Sequence, residues 1–153
     1  MSQAAPMLPT PRTPRQLVRL ADWPLRLEAF VAARQAQPFA WGGQDCALFA
    51  ADAVQALTGV DVAPPALRCH RHARAALRSM RAQGGLQAIA QAALGTPIPP
   101  VLAGVGDVLL TRPSSQSHHP MLAVCNGASA LAPGPQGLVS LGLGQVSHAW
   151  RVG

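Results

Sequence analysis

The stretch FAWGGQDCALFAADAV, residues 39–54, places a Gly-Gly pair and an aspartate directly ahead of a run with helical apolar spacing. Leu48, Phe49, Ala53, Val54 and Leu57 recur at that spacing, so the segment from Asp45 to Leu57 is predicted to be a mostly buried helix, stopped by Gly59. Cys46 falls in its first turn. Unpaired backbone N–H groups and the positive end of the helix dipole converge there and stabilise a thiolate, which predicts a cysteine pKa below the usual ~8.5 and a nucleophile. Gly42 and Gly43 let the backbone approach a substrate closely, and the N–H groups around Cys46 offer a seat for a tetrahedral oxyanion. The plainer reading is a small buried hydrophobe on a packed helix.

Upstream, Asp22-Trp23-Pro24 reads as a capped helix start, with Leu25, Leu27, Phe30 and Val31 forming an apolar face up to about Gln37. Downstream, a third helix is predicted over residues 66–82, ended by Gly84 and Gly85, and a fourth over residues 86–94 before Gly95. After the breaker run TPIPP come GDVLLT, MLAVC, SALA and LVSL. These are short apolar segments separated by turn residues, the pattern of an antiparallel sheet. Helices first and strands second make the fold class α+β.

A chain of 153 residues, 49% hydrophobic and 12% charged, is long enough and apolar enough for one folded core. Residues 1–20, with Pro6, Pro9, Pro11 and Pro14, are predicted to be a flexible Pro-rich arm, and residues 21–153 a single domain. The net charge of +6 comes from arginine alone, since lysine is absent. That bias fits a GC-rich coding sequence, and no nucleic-acid partner is expected: tyrosine is absent, and the Phe and Trp residues do not interleave with the arginines. Three cysteines at wide, irregular spacing predict free thiols. No signal peptide or membrane-length apolar run is read, so synthesis in the cytoplasm without membrane insertion is expected.

Around Cys46 the chain resembles the NlpC-type cell-wall peptidases, a papain-like cysteine peptidase superfamily. The residues that carry the likeness are Trp41, Gly42, Gly43, Asp45 and Cys46, with Ala47 where those peptidases usually have Ser. Gly106-Asp107-Val108 matches the Gly-Asp pair that opens a strand in that superfamily. Laid without gaps on residues 119–133, the superfamily pattern puts its histidine at His119, its turn at Asn126-Gly127 and its Ala-Pro at Ala132-Pro133. Pro120-Met121 replaces Val-Gly, and the third polar residue falls on Leu131. The resemblance implies a papain-like fold with the nucleophile helix packed on a C-terminal antiparallel sheet. It also implies peptide hydrolysis, in which a Cys46 thiolate attacks a carbonyl and His119 pairs with it and protonates the leaving amine. Gly43, Gln44 and Asp45 would serve the oxyanion or positioning. Gln44, Asn126 or a backbone carbonyl would orient the imidazole, and His118 is the partner if the register slips by one.

A closer likeness is to domains encoded in phages, prophages and gene-transfer-agent clusters of proteobacteria. It rests on Asp22-Trp23-Pro24, residues 38–42, Asp45-Cys46, residues 49–54, Thr58-Gly59, residues 132–135, Gly137-Leu138 and residues 149–152. It implies a protein assembled into a particle tail, at the tip or in tail assembly, with other tail-tip or hub proteins as partners. Peptidoglycan stem peptides are the expected substrate if the site is active, and a structural adaptor is the alternative.

Other residues are read plainly. Arg68, Arg71, Arg74, Arg78 and Arg81 recur every three or four residues, as a solvated helix face or as a contact for an acidic neighbour or an anionic polymer. Cys69-His70-Arg71-His72 matches no common zinc spacing, and neither a metal nor a cofactor is expected. Asp52 and Asp61 read as surface or capping residues, and Trp150 as an anchor for the C-terminus.

Overall fold

A computed structural model describes residues 16–115 and 117–153. The protein is α+β. Four helices, α1 (Trp23–Arg34), α2 (Cys46–Thr58), α3 (Ala73–Ala82) and α4 (Leu86–Leu94), precede five strands. The strands are β1 (Val108–Thr111), β2 (Leu122–Cys125), β3 (Ala130–Gly134), β4 (Gly137–Leu141) and β5 (Val146–Trp150), in one antiparallel sheet of order β4-β3-β2-β1-β5. Short 3-10 turns occupy Pro65–Arg68, Pro100–Leu102 and Leu143–Gln145.

α2 is the central helix. All of it is buried except Asp52, Gln55 and Ala56, as the periodicity predicts. Gly59 ends it in the left-handed conformation at φ +77°, where its N–H returns to Gln55 O. The sheet's pleat sorts its side chains onto two faces. Val108, Leu110, Leu122, Val124 and Trp150 meet α2, whereas Leu109, Ala123, Cys125 and Ala149 point into a second cluster with Ala130, Ala132 and Leu141. Cys125 therefore lies on the opposite face of the sheet from α2. Trp150 is fully enclosed at the end of β5, consistent with its reading as an anchor.

Four expectations are corrected. α1 ends at Arg34, short of Gln37. Asp22 is its N-cap residue, but the side chain caps no helix amide; the carboxylate accepts from Arg26 Nε at 2.7 Å. The helix predicted over residues 66–82 is a 3-10 turn followed by a non-helical crossing and then α3, so Arg68 and Arg71 do not share α3's face. Gly42, at φ +78°, lies against the backbone carbonyl of His70 within this crossing. The sheet also has a fifth strand, β5, because VSHAW pairs with β1 along Val108–Trp150, Leu109–Ala149 and Leu110–His148.

The arm expected over residues 1–20 lies outside the described residues as far as residue 15. Residues 17–20 are held on the domain. Leu17 packs on the core, Leu20 N–H donates to Leu57 O at 2.8 Å, and Arg19 reaches Val152 O, Val105 O and Asp107. No helix among the described residues is long and apolar enough to cross a membrane.

Candidate functional site

Cys46 is the first residue of α2, and Asp45 is its N-cap in extended conformation. One Asp45 oxygen accepts from Leu48 N–H at 2.9 Å and the other from Gly42 N–H at 3.0 Å, tying the Gly-Gly turn to the helix start. Ala40 N–H donates to Gln44 O and Gly43 N–H to Ala40 O, closing the turn. Phe39 N–H donates to Gly134 O at 2.9 Å, so the turn is moored to the end of β3.

The seat is the expected one, but the thiol's acidity is reversed. Cys46 is only 8% exposed, and burial pushes its pKa up from an ordinary 9.0 to about 11. A backbone hydrogen bond with Leu122 pulls the other way, and the Asp45 carboxylate next to it adds to the rise. The helix start does not compensate. Asp45 takes the Leu48 N–H through its side chain, and the first-turn N–H groups of Cys46 and Ala47, which favour a thiolate, are outweighed by burial. Burial likewise pushes the Asp45 carboxyl up, against the backbone N–H groups of Leu48 and Gly42.

The proposed helpers divide. Gln44 is buried with its amide engaged at both ends by Arg34: Oε1 accepts from Arg34 Nη1 at 2.7 Å, and Nε2 donates to Arg34 O at 3.4 Å. Through these bonds it braces α1. Gly43 has an ordinary backbone, and a Cβ added there meets nothing within 4 Å, so the steric demand of the pair falls on Gly42 alone. Asn126 follows β2 at the end away from Leu122, a strand length of roughly 13 Å. Its Oδ1 accepts from Ala128 N–H, Ser129 N–H and Ser129 Oγ, closing its own turn.

His119 is exposed in the loop before β2, where its backbone bonds Ser117 Oγ through both its carbonyl and its N–H; His118 is exposed beside it. Leu131 pairs with Val124 and packs on the α2 side of the sheet. A histidine that shares the sheet face of α2 is His148. Leu122, Leu110 and His148 align across β2, β1 and β5, which sets His148 about 10 Å from Leu122, and its ring stacks on Trp150.

Beside the site is a small apolar cavity of about 30 Å3 lined by aliphatic side chains such as Ala47, Ala50, Val62, Leu67, Ile89 and Leu122. A second cavity of about 550 Å3 lies between residues 61–65 and α4, and Cys46 lines neither. Among the described residues no group of three or more His, Cys, Asp or Glu side chains converges as metal ligands, and Cys46, Cys69 and Cys125 are free.

The polar structure missing from the sequence reading is an ion-pair chain at the rim. Arg34 Nη2 meets Asp52 at 2.7 Å, and Arg68 Nη2 bridges Asp52 at 2.8 Å and Asp61 at 3.0 Å. Asp52 and Asp61 are thus more than surface or capping residues. The available signal was Asp52's place as the lone charge on an otherwise apolar helix.

The chain belongs to the family described as Domain of unknown function (DUF6950), whose model matches residues 18–152. No curated protein matches the chain.

Proposed function

We propose that this chain, as a member of that family, is a structural adaptor of a phage-type or gene-transfer-agent particle tail, with an NlpC-like, papain-like fold in which Cys46 has ceased to be a nucleophile. The observation that carries the loss of chemistry is the enclosure of the sulfur: Cys46 is 8% exposed, and that burial pushes the thiol pKa up from its ordinary value, away from a thiolate. The apolar Leu131 and the exposed His119 support the same reading. Support for the tail assignment comes from the motifs on residues 22–24, 38–42, 45–46, 132–135 and 149–152. In this reading the protein is made in the cytoplasm and incorporated among tail-tip or hub proteins.

A second reading, a peptidoglycan endopeptidase using Cys46 and His119 on stem peptides, is favoured by one observation. The sulfur does sit at the first turn of a helix against a sheet, where a cysteine nucleophile belongs. Purified wild-type protein and Cys46→Ala, tested on isolated cell walls and on particle assembly, separate the two. The adaptor reading expects no hydrolysis by wild-type protein, normal particles with Cys46→Ala, and failed assembly when the gene is deleted. Wall hydrolysis that disappears with Cys46→Ala overturns it.

A further inference from the structure

The carboxylates of this chain are committed away from α3. Of six Asp and Glu residues, Asp45 and Asp107 are buried, Asp22 pairs with Arg26, and Asp52 and Asp61 hold Arg34 and Arg68. The sixth, Glu28, is on α1. Arg74, Arg78 and Arg81 on α3, and Arg71 just ahead of it, are exposed and have no carboxylate partner among the described residues. The helix is pinned through Ala76 and Met80, which are buried on its other side, so the arginines must face outward.

That arrangement is unfavourable for an isolated helix. Arg74 and Arg78 stand four residues apart and Arg78 and Arg81 three apart, with neighbouring Cβ atoms about 5–6 Å from each other, a spacing at which like charges repel. Arg74 also sits in the first turn, where the helix dipole disfavours a cation, and α3 has neither an acid in that turn nor a side-chain N-cap. An anionic partner relieves both costs. Leu77, 38% exposed, lies between Arg74 and Arg81 on this surface. An apolar side chain flanking a row of guanidinium groups, at the edge of the arginine stripe, suits a protein contact, while a polyanion needs only the charge.

We propose that the outward face of α3 docks an acidic amphipathic helix of a partner protein, with its carboxylates on Arg74, Arg78 and Arg81 and an apolar side chain over Leu77. A partner helix with carboxylates three and four residues apart presents them at the arginines' own spacing. Each guanidinium can take a carboxylate through two parallel N–H···O bonds. The proposal stands on this surface alone and is independent of the tail assignment.

The test uses the full chain and a fluorescent synthetic helical peptide of roughly 18 residues, long enough to hold a helix alone, with Glu in that spacing and Leu between. Binding read by anisotropy should weaken about 10-fold or more when salt rises from about 50 to about 300 mM. It should fall roughly 30-fold or more in R74E/R78E/R81E and stay within about 3-fold in the charge control R112E/R151E. L77S should weaken it by about 3-fold or more without moving the salt dependence. Thermal unfolding checks that the reversal variant is folded, and R78Q/R81Q gives the same reading if it is not. Peptide binding indifferent to the α3 variants overturns the proposal. So does binding of heparin or a single-stranded oligonucleotide that depends on the same arginines, exceeds the peptide's and ignores L77S, since that marks a polyanion site.

Discussion

Gly42 lies directly against the backbone carbonyl of His70, so close that a Cβ at position 42 would overlap the oxygen. The contact joins the turn ahead of Cys46 to the crossing between the Pro65–Arg68 turn and α3, and it demands both a positive φ and the absence of a side chain. Gly42→Ala is therefore expected to destabilise the protein by about 3 kcal/mol or more, from strain and backbone overlap together. Gly43→Ala, next to it, should stay within about 0.5 kcal/mol of the wild type. Urea unfolding of the two variants checks this; equal costs would show that the crossing adjusts freely.

Thiol reactivity should separate the cysteines. Cys69 is exposed and Cys46 is enclosed with a raised pKa, so iodoacetamide near pH 8 should label Cys69 in the native protein and reach Cys46 only after denaturation. The same shift sets a pH dependence. A thiol that ionises near 9.0 when unfolded and at about 11 when folded keeps its proton longer in the native state. Its contribution is complete below pH 9 and is lost as pH rises toward 11, by an amount on the order of 2 kcal/mol. Cys46→Ala should flatten that alkaline decline relative to wild type. Native labelling of Cys46 at neutral pH, with an apparent pKa below 8, would contradict the adaptor reading.

Much of the fold was legible because its signals are local. The apolar spacing of Leu48, Phe49, Val54 and Leu57 gives α2, and Gly59 gives its end; the turn residues between residues 106 and 141 mark four of the five strands. The break before α3 was not legible, because the local apolar and arginine spacing over residues 66–82 does not mark it, and the crossing's contact with Gly42 comes from some thirty residues away in sequence. β5 escaped because its pairing with β1 is long-range and a terminal Trp explains itself equally well as an anchor. At the site, the helix-start position of Cys46 follows from sequence. The thiol's protonation does not, since it depends on how far the sheet around Leu122 encloses the sulfur.

Asp52 stands between two guanidinium groups, and its loss should be felt on both sides. Its side chain is 13% exposed, whereas Asp61, the outer partner of Arg68, is 42% exposed. Asp52→Ala is expected to cost about 1–3 kcal/mol, because it removes a carboxylate shared by Arg34 and Arg68 at a partly enclosed rim and leaves them only Gln44 and Asp61, and Asp61→Ala about 0–1 kcal/mol. Arg68 holds the Asp61 carboxyl below its ordinary 3.8, so that small contribution is present above this value and is lost as pH falls through the lowered folded pKa. A double-mutant cycle between Asp52 and Arg68 should return a coupling larger than the one between Asp61 and Arg68. The reverse order would mean that solvent screens the inner pair as fully as the outer.

Arg19 and Asp107 hold the two ends of the described chain together, and the geometry makes the pair sensitive to shape as well as charge. Asp107 Oδ1 accepts from Val152 N–H at 3.0 Å and from Arg19 Nη2 at 3.1 Å, while Oδ2 accepts from Gly104 N–H at 2.9 Å. Arg19 also donates through Nε to Val152 O at 2.6 Å and through Nη1 to Val105 O at 2.8 Å, with its guanidinium 4.3 Å from the Trp23 ring centroid. Three differently placed acceptors match a planar guanidinium fork and cannot all be met by a single ammonium. Arg19→Lys should therefore recover little of what Arg19→Ala loses, with both costing about 2–4 kcal/mol. Asp107→Asn keeps the volume but substitutes an amide N–H2 for one acceptor oxygen, leaving buried donors facing each other, and is expected to fall in the same range. Hydrogen exchange at Val152 N–H should accelerate in all three variants, because that amide loses its acceptor or the clamp around it. A stability for Arg19→Lys within about 0.5 kcal/mol of wild type would show that charge alone holds the clasp, and the fork would then have no special part in joining residues 17–20 to the end of β5.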